Sequence, residues 1–538
     1  MKRFTLQLTL AAALCCGVVF AVFGLSQNRV AKDLVVHEWG TFTSIQGSDG
    51  VPLFWQSRNV APLPSFVYNW KHAGLPAGWR RMPDNCGKGE IPMMVQRMET
   101  PVVYFYSPRE QTIDIKVEFP KGRMTEWYPR ADEAGPCFWT NGTHRAITDH
   151  MLHWPTVHVL PMSQGKLPED KIGSHYYAAR ETDSATIGIA GSGANTATEV
   201  EKFLFYRGVG NFPTPLKVSM GDANNVTVEN TTSETLSDVF VLEVHNAHAR
   251  MVHLESLGAK QQQHIPLNST AEPVAVIAEK ISNEMATALT QQKLYSREAS
   301  AMVKTWKDSW FEEEGVRALY LLPRKWTDEI LPISINPQPN ELVRVMVGRA
   351  DVISPDLENK LADAMIKIAD GDFEAKVQMK QELHRAGRFS EPLFSRVYNR
   401  FQRTHGAAGN RWPDLWQKVD QAMTAGLTFD SDTKESLPKT GEDEVHFTFK
   451  VANLSTNDIV IEKAQGSCGC TYPKIPAQPW RLRVGESGEL PVTMTLKGKP
   501  PGEITKEVTL FTSEGQRKVT VKTIVPAPTA IKTASAAN

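Results

Sequence analysis

The sequence predicts a multidomain, mainly β protein: a β-sandwich-like N-terminal region, a central α-rich subdomain and a C-terminal immunoglobulin-like β-sandwich. Three observations predict it. At 538 residues the chain is too long for one hydrophobic core. Apolar residues alternate with polar ones at a period of two in short stretches before residue 270 and again after residue 441. Between those regions the apolar period lengthens to that of an amphipathic helix.

Residues 1–30 open with Lys2 and Arg3 and continue into the apolar run Leu10–Leu25. A basic segment followed by a greasy one is the pattern of a secretory signal, with Ala21, Gly24 and Ser26 as small residues for cleavage. The alternative is an uncleaved membrane anchor. The run falls slightly short of the ~20 apolar residues a spanning helix needs, although Phe4 to Leu25 reaches that length. Under either reading the positive charges stay inside and everything after Gln27 is extracytoplasmic, whether periplasmic, on the cell surface or secreted. Membrane contact then runs through the N-terminal segment if it is uncleaved.

Residues 31–270 read as a β-rich domain. Ile113, Ile115, Val117 and Phe119 alternate with Thr112, Asp114, Lys116 and Glu118, which is a strand with one wet face. Val102–Tyr106 and Val239–Val244 are β-branched and aromatic, hence more deeply buried. Proline and glycine punctuate the gaps, as at Leu63-Pro64 and Asn211-Phe-Pro213.

Residues 271–427 read as the α-rich subdomain with a few strands. Val274, Ile277, Ala278, Ile281, Met285 and Leu289 share a helix face. Ser296 is the expected N-cap of a second helix carrying Ala299, Met302, Val303, Trp306 and Trp310. Arg317–Leu322 and Leu342–Val347 read as strands that return this helical pair to the β domain. Ser354 followed by Pro355 opens a further helix. Residues 428–441 are polar and read as a linker. Residues 442–526 hold Val445, Phe447, Phe449 and Val451, then Leu490, Val492, Met494 and Leu496, each set in alternation, as an immunoglobulin-sized all-β unit. The tail, 527–538, is small and polar and is expected to be disordered.

The formal net charge is −1 and no basic stripe stands out, which argues against nucleic acid as the main partner. Beyond the leader the cysteines are Cys86, Cys137, Cys468 and Cys470. In an oxidising compartment they allow three pairings, of which Cys86 with Cys137 is the plainest disulfide. Cys468-Gly469-Cys470 is the most specific local signal. In an extended strand its two thiols share a face with Cα atoms about 6.6 Å apart, near the upper limit for a disulfide, and Gly469 shortens the span by bending. Three readings stand: buried thiols, a disulfide, or half of a soft-metal site for copper or zinc with His446 the nearest further ligand.

Other chemistry-bearing residues cluster in the N-terminal region. Asp149, His150, His153 and His158 supply the zinc-type donor set, but Trp154-Pro155 implies extended chain, which points His150 and His153 to opposite sides. His37 and Glu38 are the residue types of a general acid–base pair. Arg180, Asp183 and Arg207 are candidates for an anion-binding clamp or for an ion network tying loops to a sheet. Seven tryptophans between Trp39 and Trp154 either line a glycan groove or fill a core, and burial accounts for most of them.

Asn453-Leu-Ser, Val460-Ile-Glu, Ser467-Cys-Gly-Cys-Thr471, Pro473, Gly485-Glu-Ser-Gly488 and Val492 resemble the bacterial domain of unknown function 1573, a Hydin-like immunoglobulin fold. That resemblance covers about the last hundred residues, and Cys-Gly-Cys-Thr is its specific part. It implies an extracytoplasmic or surface-associated sandwich and lends no activity. Val36-His-Glu-Trp-Gly-Thr-Phe-Thr-Ser44, Met98-Glu-Thr-Pro101, Glu126-Trp-Tyr-Pro129, His175–Asp183, Glu201–Gly208 and Asp308-Ser-Trp-Phe-Glu312 resemble a family of uncharacterised secreted bacterial proteins, over most of residues 34–390.

The expectation is therefore a binding or scaffold protein of the envelope, its partner an envelope protein or a glycan, with the C-terminal sandwich as an assembly module. The alternative is an exported hydrolase or metal-dependent enzyme centred on His37 and Glu38 or on His150–His158. No nucleophile elbow, His-Glu-x-x-His helix or paired metal motif speaks for it. The two readings separate on geometry, because an enzyme needs such side chains to converge in one place.

Overall fold

The structure, a computed structural model, describes residues 33–55, 62–69, 94–135, 139–140, 143–144, 149–163, 165–191, 198–221, 225–405, 426–439 and 442–526. The leader, Cys86, Cys137 and the tail lie outside the described residues. Among the described residues no helix is long and apolar enough to cross a membrane. The chain divides into two compact units, Met1–Ile353 and Ser354–Asn538.

The first unit is organised on the strand Val35–Gln46, the central strand of a ten-stranded sheet. It runs parallel to Glu341–Val352 on one side and antiparallel to Gln96–Tyr106 on the other. Both of its faces are covered, so all but its first residue is buried and no alternation marks it in the sequence. One face packs on a six-stranded sheet that includes Gln111–Phe119 and His150–Leu160, and on a three-stranded sheet made of Leu216–Met220, Asn225–Asn230 and Gln262–Pro266. Met98, Phe105, Ile115, Trp127 and Trp154 fill that core. The opposite face is roofed by the helices Val274–Gln291 and Ser296–Lys307 and the π-helical turn Asp308–Glu312, through Ile281, Met285, Met302, Trp306 and Trp310.

The helix faces and the returning strands agree with expectation, but the boundary does not fall at residue 270. The helical pair is the cover of the first unit's sheet, and Gly315–Leu321 and Glu341–Val352 lie near the middle of that sheet. The α-rich segment of the second unit begins only at Ser354, whose hydroxyl accepts the Leu357 N–H and caps the helix Pro355–Ala369. Ser296 is not a cap. Tyr295 holds that position, and the Glu298 carboxylate accepts its backbone N–H at 2.9 Å.

The second unit continues with the helices Phe373–Arg385 and Ser390–His405 and ends in a sandwich. One sheet has four strands, with Glu444–Asn453 and Ser487–Thr495 at its centre. The other has five, with Ile459–Gly466, Gly502–Thr512 and Gly515–Val525 at its centre. Phe447, Phe449, Ile461, Leu490, Val508 and Val519 lie between them. Leu427–Phe429, at the expected junction of α-rich subdomain and linker, and Thr433–Glu435, within the expected linker, instead add an edge strand to each sheet. Edge strands bury little and read as polar chain.

A small device recurs in both units. Asn230 donates through Nδ2 to the carbonyls of Glu234 and Leu257 while its Oδ1 accepts from Thr232. Asn453 does the same with Asn457, Leu482 and Ser455. Each side chain locks a strand end to its neighbour, which accounts for Asn453-Leu-Ser without any binding role.

Candidate functional site

His37 and Glu38 are successive residues of the central strand and therefore point to opposite faces of the sheet. On the helical side His37 Nδ1 lies 2.7 Å from Glu298 Oε2, both side chains buried, with the rings of Tyr295 and Tyr106 centred 4.5 and 5.3 Å away. On the other side Glu38 accepts from the Tyr206 hydroxyl and from Arg344 Nε, and Arg344 Nη1 reaches Asp328 at 2.7 Å. Burial and then the Glu38 charge hold the Tyr206 phenol well above its ordinary range. Burial pulls the Arg344 guanidinium down, but Glu38, Tyr206 and Asp328 together hold it above its ordinary value. His37 and Glu38, expected as an acid–base pair, thus lie on opposite faces of the sheet, each with its own partner.

Arg180 binds the buried carboxylate of Glu201 through Nε at 3.0 Å and Nη2 at 2.6 Å, and donates to the Pro168 carbonyl. Its guanidinium lies 4.9 Å from the Tyr177 ring centre, and Tyr176 adds a hydrogen bond to Glu201 at 3.0 Å. Burial pushes the Glu201 carboxyl up, against the lowering pull of Arg180. Asp183 is an exposed residue paired with Arg297, and Arg207 Nη2 lies 3.1 Å from His175 Nε2. Arg180, Asp183 and Arg207 take three different partners and form no clamp, so the alternative reading, an ion network tying loops to the sheet, is what the geometry supports.

The histidines of His150–Leu160 diverge as their strand predicts. His150 is buried, and burial reinforced by Arg123 holds its imidazole well below the usual range. His153 turns the other way, 2.9 Å from Asp114 and 3.7 Å from Glu133. His158 Nδ1 lies 3.2 Å from the Thr112 hydroxyl. Among the described residues no three His, Cys, Asp or Glu side chains are grouped to hold a metal ion, and His150, His153 and His158 take separate surroundings. Trp39, Trp55, Trp127 and Trp154 are all buried, so none of them offers a face to a glycan.

Several polar groups escaped sequence reasoning altogether. Arg317 and Arg349 converge on Asp351, at 3.2 and 2.6 Å, and donate to the carbonyls of Trp310 and Ser309 respectively. They cap the π-helical turn Asp308–Glu312. Register also sets Arg349, Thr43, Arg97, Val209 and Arg123 in one cross-strand row, all buried. Nothing in the sequence singled these residues out, because the strands that bring them together come from distant positions.

Cys468 and Cys470 are joined by a disulfide, their Cα atoms 5.3 Å apart. The span is shorter than in a strand because residues 467–470 form the turn between Ile459–Gly466 and Thr471–Pro473, closed by the Thr471 N–H on the Cys468 carbonyl at 3.2 Å. The copper or zinc expectation is corrected here: both sulfurs are used in the disulfide, and His446 bonds Thr493 instead. Closing so short a loop removes little unfolded-chain entropy, on the order of 1.5 kcal/mol.

Residues 427–525 match the family described as "Protein of unknown function (DUF1573)", as their motifs led one to expect. No curated protein matches the chain. Among solved structures, the VesB protease of Vibrio cholerae is 13% identical over 21% of this chain and 35% of that one, with a TM-score of 0.17. The chain therefore spans about a third of that protease. A protein of unknown function from Porphyromonas gingivalis W83 is 10% identical over 58% of this chain and 100% of its own, with a TM-score of 0.17. The Fcho1 mu homology domain of Danio rerio, solved with a bound Eps15 peptide, is 7% identical over 61% and 99%, with a TM-score of 0.23. Similarities at that level carry no argument about function.

Proposed function

We propose that the chain is a binding or scaffold protein of the cell envelope, in which the first unit is a rigid recognition body and the C-terminal sandwich an assembly module. The observation that carries this reading is the separation of the chemistry-bearing side chains. His37, Glu38, Arg180 and Asp183 are each held by a different counter-charge, Glu298, Arg344, Glu201 and Arg297. A catalytic centre brings such groups together around one reacting atom. The Cys468–Cys470 disulfide supports an oxidising, extracytoplasmic compartment.

The test uses full-length protein recovered from its native host. Fractionation should place it in the envelope, and crosslinking there should capture an envelope protein or a glycan that leaves unmodified. Recovery of the intact chain from the cytosol would overturn the compartment. Turnover of ester, peptide or glycoside substrates that disappears in His37→Ala or Glu38→Gln would restore the hydrolase reading.

A further inference from the structure

The disulfide of the C-terminal sandwich has no structural task in proportion to its position. Its turn is already fixed by the backbone on both sides. Ser467 donates its N–H to Glu507 O at 2.8 Å and receives the Glu507 N–H on Oγ at 3.1 Å, while Thr495 donates to Cys470 O at 2.9 Å. The apolar cluster packed between the two sheets contains neither Cys468 nor Cys470, although Cys470 is buried beside it. A disulfide that closes across one residue also adds little as a staple.

The local chemistry favours exchange. Cys468 is half-buried and Cys470 buried, which makes Cys468 the sulfur an outside thiol reaches first. Gly469 stands over open space, since a Cβ built there would meet nothing within 4 Å. The Sγ of Cys468 accepts the Cys470 N–H at 3.4 Å and lies 3.5 Å from the Thr471 hydroxyl, which is farther from Cys470 Sγ, at 3.9 Å. Two donors aimed at one sulfur stabilise it as a thiolate, and a stabilised thiolate is both a better leaving group and a more stable reduced state.

We propose that Cys468 and Cys470 form a redox-active pair that oxidises dithiols of other proteins in the same compartment. A substrate thiolate attacks Cys468 Sγ, the Cys468–Cys470 bond breaks, and Cys470 leaves as a thiolate and takes up a proton. The second substrate thiol loses its proton and attacks the substrate sulfur of the mixed disulfide. Cys468 leaves as a thiolate held by the Cys470 N–H and the Thr471 hydroxyl. One substrate disulfide is formed, and the pair is left reduced by two electrons. Thr471 acts through Cys468 and is a positioning residue. The step needs the extracytoplasmic setting to recur in the cell, but the chemistry itself is tested without it.

The experiment mixes oxidised full-length protein with a reduced two-cysteine peptide, and alkylation with mass mapping follows Cys468 and Cys470 separately from the other cysteines. The expected result is peptide disulfide formed in step with reduction of the pair, and none with Cys468→Ser/Cys470→Ser. With oxidised glutathione as the probe, Cys470→Ser should form the mixed disulfide at Cys468 about tenfold faster than Cys468→Ser forms it at Cys470. Thr471→Val should slow capture at Cys468 and raise the pH at which capture becomes half-maximal, a readout that loss of packing would not move. Circular dichroism confirms that each variant keeps the sandwich folded. A pair that stays oxidised against the peptide while the protein is folded, or equal capture by the two single-cysteine variants, would overturn the proposal. Envelope fractionation that fails while exchange succeeds would remove the compartment and leave the chemistry standing.

Discussion

The first unit and the C-terminal sandwich are both built from β-sheet, yet they dispose of charge in opposite ways. The first buries His37, Glu38, Arg97, Glu201, Glu298, Arg344, Arg349 and Asp351 against its central sheet. Among the described residues of the sandwich the buried polar side chains are Asn453, Ser455, Thr471 and Thr523, none of them charged. A two-layer sandwich of about a hundred residues needs one apolar interior and leaves its outer faces wet. The central strands of the ten-stranded sheet are covered on both sides and have no wet face, so their polar residues must find partners inside. In the first unit the charges are framework; in the second the reactive group is left at a surface turn.

The largest expected effect breaks that framework. Arg344→Met leaves Glu38 buried with only the Tyr206 hydroxyl, and should cost about 3–5 kcal/mol in urea unfolding of the first unit. Phe449→Ala should destabilise the sandwich by a comparable ~3–5 kcal/mol, but by opening a cavity rather than by stranding a charge.

A smaller effect sharpens the same contrast. His150 is held neutral in the folded state with its pKa below the ordinary 6.5. Below pH 6.5 the unfolded chain therefore binds a proton that the folded chain refuses, and stability falls as pH falls, by up to ~1.4 kcal/mol per pH unit until the folded pKa is reached. Above pH 6.5 this group contributes no slope. Melting curves of His150→Leu between pH 7.5 and 5 should lose that component, provided pH values are matched between variants. Smallest of all, Cys468→Ser/Cys470→Ser should lower the sandwich's unfolding free energy by about 1.5 kcal/mol or less. A loss as large as that of Phe449→Ala would make the disulfide a staple after all.

The same contrast decides what could be read from the sequence. The sandwich was legible because alternation at Val445–Val451 and Leu490–Leu496 reports one buried face, and the core contains those residues. The helix faces of Val274–Gln291 and Ser296–Lys307 were legible for the same reason. The central strand was not, because its parallel partner lies some three hundred residues on and both faces are buried. His37 and Glu38 stood out as the residue types of an acid–base pair, but their partners Glu298 and Arg344 are 261 and 306 positions away. Ordinary acid–base residue types thus looked like chemistry until the fold supplied the counter-charges. The two edge strands near residue 430 were missed because they bury one side chain or none.

The most direct measurement is a double-mutant cycle at Glu38 and Arg344, followed by urea unfolding of the full chain. If these charges are framework, Glu38→Met and Arg344→Met should each cost about 3–5 kcal/mol, and the double variant should recover much of that loss, with a coupling energy of about 2 kcal/mol or more. Additive losses with no coupling, or single variants that unfold like the parent, would contradict the account and return Glu38 to the list of residues free for chemistry.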